Sequence, residues 1–152
     1  MKKILFVCLG NICRSPAAES ITKKIIANNN IDLVCDSAGI LDFHKGELAD
    51  PRMRQALKAS GYETPSTSRP FENKDFLFFD HIFVMDNHNY EDICKKDIAA
   101  EYTNKIFKMA KYSKSVDEIP DPYFASKKDF ETVIRLLEEA CEKMLRDFKY
   151  LS

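Results

Sequence analysis

The sequence predicts an α/β fold, a four-stranded parallel sheet flanked by helices on both faces. Three observations carry that expectation. Four short apolar runs of strand length alternate with longer stretches patterned as helices, and such alternation implies parallel strands joined by crossover helices. The opening run, Ile4 to Val7, is apolar throughout, as a strand buried on both faces requires. The closing segment sets Phe130, Val133, Ile134, Leu137, Cys141, Met144, Leu145 and Phe148 on one stripe at helical spacing.

The remaining elements follow in order. Ser15 to about Asn29 is rich in helix formers, with Ala18, Ile21, Ile25 and Ile26 at helical spacing. Pro16 sits in its first turn, where a missing N–H costs nothing, and Asn28-Asn29-Asn30 ends it. Ile31 to Cys35 reads as the second strand and Asp36-Ser37-Ala38-Gly39 as a loop after it. Asp50 caps a helix with Pro51 at its first position, running to Ser60-Gly61. His81 to Met85 is a third strand, Asn87 to about Ala99 a polar helix, and Lys105 to Met109 a weaker fourth strand. Ser126 and Asp129 form a capping pair before the last helix. No repeat or linker interrupts this order, so residues 1–152 read as one domain, a flavodoxin-like three-layer sandwich.

Composition narrows the function. A chain of 152 residues buries roughly 70% of its unfolded surface and needs no metal or disulfide scaffold to fold. With 45% hydrophobic and 31% charged residues it is neither disordered nor fibrous. Its 23 basic and 24 acidic residues leave a net charge of −1, with no like-charge block longer than a pair, so neither nucleic acid nor a membrane is an expected partner. The longest apolar stretches, Ile4 to Gly10 and Phe76 to Met85, fall short of the ~20 residues of a spanning helix. Lys2, Lys3 and the apolar run before Pro16-Ala17-Ala18 imitate a secretory signal, but Asn11 and Arg14 interrupt it, and a cytoplasmic protein is expected. The cysteines, Cys8, Cys13, Cys35, Cys94 and Cys141, are odd in number and form no CxxC pair. With His44, His81 and His88 scattered, they suit core or nucleophile roles better than a disulfide framework or a metal site.

Cys8-Leu9-Gly10-Asn11-Ile12-Cys13-Arg14-Ser15 joins the buried strand to a helix N-terminus. That helix end offers unpaired N–H groups and the positive end of a dipole. Successive loop N–H groups can form a nest around a tetrahedral anion, with Gly10 expected to permit the tight turn. Arg14 adds a planar fork able to hold two oxygens of one phosphate. The same field favours a thiolate over a thiol at Cys8, a nucleophile beneath a bound phosphoryl group. Ser15 could hydrogen-bond that sulfur and make it a better leaving group. The GxxxxGK[ST] pattern of nucleotide hydrolases is absent.

The string FVCLGNICRSPAAE closely resembles the signature of the low-molecular-weight protein tyrosine phosphatases. The resemblance extends over almost the whole chain, through Asp36-Ser37-Ala38-Gly39, Asp50-Pro51-Arg52, Ser68-Arg69-Pro70, Met85-Asp86 with Asn89, and Asp121-Pro122-Tyr123. It implies hydrolysis of phosphotyrosine in proteins or peptides, and of small aryl phosphates, by a cofactor-free and metal-independent monomer. Inorganic phosphate would be the product. Asp121 matches the family's general acid; Asp50-Pro51 competes as a dipeptide, but its role as a helix cap suffices. Phe43, Tyr123 and Phe124 match aromatic pocket walls. Asn11, Ser15 and Ser37 match residues that brace the phosphate loop, and Cys13 matches a redox partner for Cys8. Ser66 departs from the pattern, since many relatives carry histidine there.

Three rivals differ in their residues. Arsenate reduction on this fold needs two further relay cysteines, and Cys94 stands alone in that region. Protein-arginine phosphatases usually carry threonine where this chain has Ile12. A phosphate-binding module without catalysis would lack Cys8 or Asp121, and both are present.

Overall fold

The computed structural model describes residues 1–63 and 65–152. Its elements are β1 (Lys2–Cys8), α1 (Arg14–Asn29), β2 (Leu33–Gly39), α2 (Pro51–Ala59), α3 (Asp75–Phe78), β3 (His81–Val84), α4 (Asn87–Lys96), β4 (Ile106–Lys108) and α5 (Lys127–Asp147). The strands pair in the order β2-β1-β3-β4, and every pairing is parallel. β1 is therefore central, which explains its unbroken apolar run: Ile4, Leu5, Phe6 and Val7 are all fully buried.

Alternation along β1 divides the core into two layers. Ile4 and Phe6 face a cluster containing Ala18 and Ile21 of α1, Met53 and Leu57 of α2, and Phe130, Leu137 and Met144 of α5. Leu5 and Val7 face the opposite layer, with Phe76 of α3, Ile82 and Val84 of β3, and Ile93 of α4. All of the predicted α5 stripe through Leu145 is buried, and Phe148 packs against its edge. At the start of α5 the Asp129 carboxylate accepts both the N–H and the hydroxyl of Ser126, at 3.0 and 2.9 Å.

Several boundaries differ from the sequence expectation. Asp36-Ser37-Ala38-Gly39 is not a loop but the end of β2, paired with Leu5 through Cys8 of β1. Its polar members break the apolar pattern because Ser37 is a buried hydrogen-bonding residue. α4 stops at Lys96, where the Asp97 carboxylate accepts the N–H groups of Glu101 and Tyr102 and turns the chain. β4 shortens because single 3-10 turns, Thr103–Lys105 and Met109–Tyr112, flank it. The four-residue α3 has no counterpart in the expected order.

Among the described residues no helix is long and apolar enough to cross a membrane. The chain runs from β1 to β2 on one side, then crosses to β3 on the other. The carboxyl end of β1, where Cys8 lies, is thus the switch point at which open α/β sheets leave a crevice.

Candidate active site

The Cys8 to Ser15 segment turns tightly at Asn11, whose φ of 56° lies in the left-handed region. Gly10 was expected to make that turn, but it shows no positive φ. Its missing side chain serves packing instead: a Cβ there would stand 3.2 Å from the His44 ring. Gly39 allows a second close approach, since a Cβ at that position would meet Gly10 and Asn11 at 3.0–3.1 Å. The strain at Asn11 is held by three hydrogen bonds. Its Nδ2 donates to Ser15 Oγ at 2.8 Å and Ser37 Oγ at 2.9 Å, and its Oδ1 accepts the N–H of Arg69 at 3.0 Å.

The loop's carbonyls are tied to surrounding elements. Those of Cys8, Leu9 and Ile12 accept the N–H groups of Ile40, Leu41 and Asp50. That of Gly10 accepts the Ser68 hydroxyl, and that of Cys13 the N–H of Ala17. Among the described residues the N–H groups from Leu9 to Ser15 find no acceptor in the protein. The arrangement is a row of donors at a helix N-terminus, suited to an anion.

Cys8 is buried, with Sγ 3.0 Å from Ser15 Oγ. Ser15 Oγ accepts from Asn11, and its own hydrogen has two acceptors in reach, the Cys8 sulfur at 3.0 Å and the Ala38 carbonyl at 3.4 Å. The order of donors continues inward. Ser37 Oγ accepts from Asn11 and donates to Glu19 Oε1 at 2.5 Å, and Glu19 also takes the Ser66 hydroxyl, the Ser66 N–H and Lys23 Nζ. Ser66 therefore joins this network directly. Glu19, fully buried on α1, is its terminus; it closes the string FVCLGNICRSPAAE, but its role as acceptor was not read from the sequence.

Arg14 is 2% exposed. Its Nη1 donates to Asp86 Oδ2 at 2.6 Å and to the Ile119 carbonyl at 3.0 Å. Asp86 is fixed in turn, because its Oδ1 caps α4 by accepting the N–H of Asn89. Despite the cost of burial, Asp86, Asp121 and the Cys8 sulfur hold the Arg14 guanidinium's pKa above its ordinary value. Asp121 lies across the cleft, its Oδ2 3.6 Å from Arg14 Nη2 and its Oδ1 accepting the Tyr123 N–H at 3.1 Å.

These residues share a pocket of about 230 Å³ lined by Cys8, Leu9, Gly10, Ile12, Cys13, Arg14, Phe43, Asp121, Tyr123 and Phe124, together with Leu41 and His44. The last two were not expected from the sequence. Asn11, Ser15 and Ser37 lie behind the lining, as braces. A larger surface pocket of about 600 Å³, bordered by Asp36, Arg69 and Phe78, contains none of these groups. Burial, then the charges of Asp50 and Cys8, push the Cys13 thiol up, and burial does the same to Cys35 and Cys141.

Residues 3–151 match the family profile described as low molecular weight phosphotyrosine protein phosphatase. The chain belongs to this family. A low molecular weight phosphotyrosine protein phosphatase of Sus scrofa is 35% identical, the match covering 95% of this chain and 94% of that protein. The structure of a protein tyrosine phosphatase from Entamoeba histolytica with Hepes in its active site is 45% identical, with a TM-score of 0.92 and coverage of 98% and 97%. The arginine phosphatase YwlE of Bacillus subtilis, in a variant bearing a phosphorylated active-site serine, is 26% identical with a TM-score of 0.88 and coverage of 97% and 95%. As a low molecular weight phosphatase the chain has the four-stranded parallel sheet shared with these structures.

Proposed function

We propose that this chain hydrolyses phosphotyrosine in proteins or peptides, and small aryl phosphates, through a phosphorylated Cys8. The observation that carries this reading is the convergence of four features on one pocket: the Cys8 sulfur, the free N–H groups of its loop, the Arg14 fork and the Asp121 carboxyl. Cys8 Sγ attacks phosphorus as the aryl P–O bond breaks, and Asp121 gives the departing phenol oxygen its proton. Asp121, now a carboxylate, takes a proton from water as that water attacks phosphorus. The S–P bond breaks and inorganic phosphate leaves. Arg14 and the N–H groups of Leu9 to Ser15 stabilise the phosphoryl oxygens in both steps. The Ser15 hydroxyl stabilises the sulfur as it departs.

Phe43, Tyr123 and Phe124 at the pocket rim favour an aromatic ring. Ile12, apolar and in the lining, favours an aryl phosphate over the guanidinium of phosphoarginine. The free, mostly buried cysteines fit a cytoplasmic protein, and a monomer belongs to the same reading. Cys13 acts as redox partner: when peroxide converts Cys8 to a sulfenic acid, the Cys13 sulfur attacks it, water leaves and a disulfide forms.

The decisive comparison is hydrolysis of a phosphotyrosine peptide against phosphoarginine by wild type and Cys8→Ser. The expected result is turnover of phosphotyrosine alone, lost in Cys8→Ser while vanadate binding persists. Preference for phosphoarginine, or activity surviving in Cys8→Ser, contradicts the reading.

A further inference from the structure

Asp50-Pro51-Arg52 begins α2, and the cap accounts for Asp50 and Pro51 but not for the Arg52 side chain. That guanidinium spans two parts of the site. Nε and Nη2 donate to the two oxygens of Asp50 at 3.1 and 2.9 Å, and Nη2 also donates to the Tyr123 carbonyl at 2.7 Å. Its central carbon lies over two rings, 4.7 Å from the centroid of Phe130 of α5 and 5.5 Å from that of Tyr123. Both ends of this bridge reach the chemistry. The N–H of Asp50 donates to the Ile12 carbonyl of the phosphate loop at 2.8 Å. The N–H of Tyr123 holds Asp121 Oδ1, so the Tyr123 backbone is gripped by Asp121 on one side and Arg52 on the other.

We propose that Arg52 is a positioning residue that ties the Asp121 loop to the phosphate loop and so sets the proton donor above the bound phosphoryl group. The inference rests on the reading of Asp121 as general acid. A continuous path of hydrogen bonds runs from Ile12 through Asp50 and Arg52 to Tyr123 and Asp121, anchored where Asp50 and Arg52 begin α2. The fork matters as well as the charge. One planar guanidinium reaches both oxygens of a carboxylate and a carbonyl while its centre lies over two rings, which an ammonium cannot do. Because 43% of the Arg52 side chain is exposed, its ion pair contributes little to folding and the variants remain folded.

The test is kcat/KM for aryl phosphates ranging from p-nitrophenyl phosphate, with a good leaving group, to phenyl phosphate, with a poor one. Arg52→Gln should cost about tenfold on phenyl phosphate and about twofold on p-nitrophenyl phosphate, a modest share of what general acid catalysis supplies. Inhibition by inorganic phosphate should stay within about twofold, since the phosphate loop keeps its own bonds. Arg52→Lys should resemble Arg52→Gln. In an Asp121→Asn background, Arg52→Gln should add less than about twofold, because both changes remove one function. Equal losses on all leaving groups, weakened phosphate inhibition, rescue by lysine, or full additivity with Asp121→Asn would each overturn the proposal. A wild type inert to every aryl phosphate would instead remove the phosphatase reading on which it stands.

Discussion

Glu19 carries its carboxylate into the interior, and the chain keeps it there by aiming donors at it from Ser37, Ser66 and Lys23. Glu19→Ala strips the buried Ser37 hydroxyl of its acceptor, while Ser66 and Lys23, which reach solvent, turn to water. At about 1–3 kcal/mol for an orphaned buried group, a loss of about 2 kcal/mol in urea unfolding is expected. A change below about 0.5 kcal/mol would mean the network relaxes onto other partners. Asp121→Asn bears on chemistry rather than folding. It should lower kcat/KM by about a hundredfold for phenyl phosphate and much less for p-nitrophenyl phosphate, the signature of a missing proton donor. Equal losses on both substrates would remove Asp121 from that role. Cys8 and Arg14 were legible because strand, loop and helix N-terminus are contiguous in the chain. Asp86 and Ser66, which hold the Arg14 and Glu19 ends of the site, lie 72 and 47 residues from their partners. Pairings at that separation leave no periodicity to read, and for Asp121 the sequence offered only its family likeness.

At the level of elements, hydrophobic period was the reliable signal and polar residues the misleading one. The α5 stripe was legible from spacing alone because one face packs against α1 and α2. Leu137, fully buried in the middle of that stripe, should cost about 2–5 kcal/mol when replaced by alanine, measured by denaturant unfolding. A cost under about 1 kcal/mol would show that the helix packs more loosely than its burial implies. β2 illustrates the opposite case. Ser37 and Asp36 resemble loop residues, yet the strand continues through them because Ser37 is satisfied by Asn11 and Glu19 from neighbouring elements. A functional network thus overrides local propensity where the phosphate loop meets the sheet. The turn at Asn11 was missed for a related reason: glycine tolerates a left-handed backbone, but here three side-chain bonds hold an asparagine in it.

Across the whole molecule, the two ends of the sheet do different work. The carboxyl ends hold the pocket, while His81 at the other end packs against Phe107 and Phe148, with Nδ1 lacking a partner among the described residues. Burial lowers its pKa below the ordinary 6.5, with Lys2 and Lys105 reinforcing the shift and Asp80 opposing it. The folded protein therefore resists taking this proton, whereas the unfolded chain binds it below pH 6.5. His81 should contribute a loss of stability as the pH falls from 6.5 through its depressed folded value, and none above that window. His81→Gln should flatten the difference between urea unfolding at pH 7.5 and 5.5; an unchanged difference would contradict the assignment. The central claim concerns the other end, where the Cys8 sulfur is proposed to attack a phosphoryl group held by Arg14 and the loop N–H groups. Its most direct test is iodoacetate labelling near pH 6, located by peptide mass spectrometry, with and without inorganic phosphate. The expected result is labelling of Cys8 far ahead of the half-exposed Cys94, suppressed by phosphate. Labelling of Cys8 no faster than Cys94, and indifferent to phosphate, would contradict the claim.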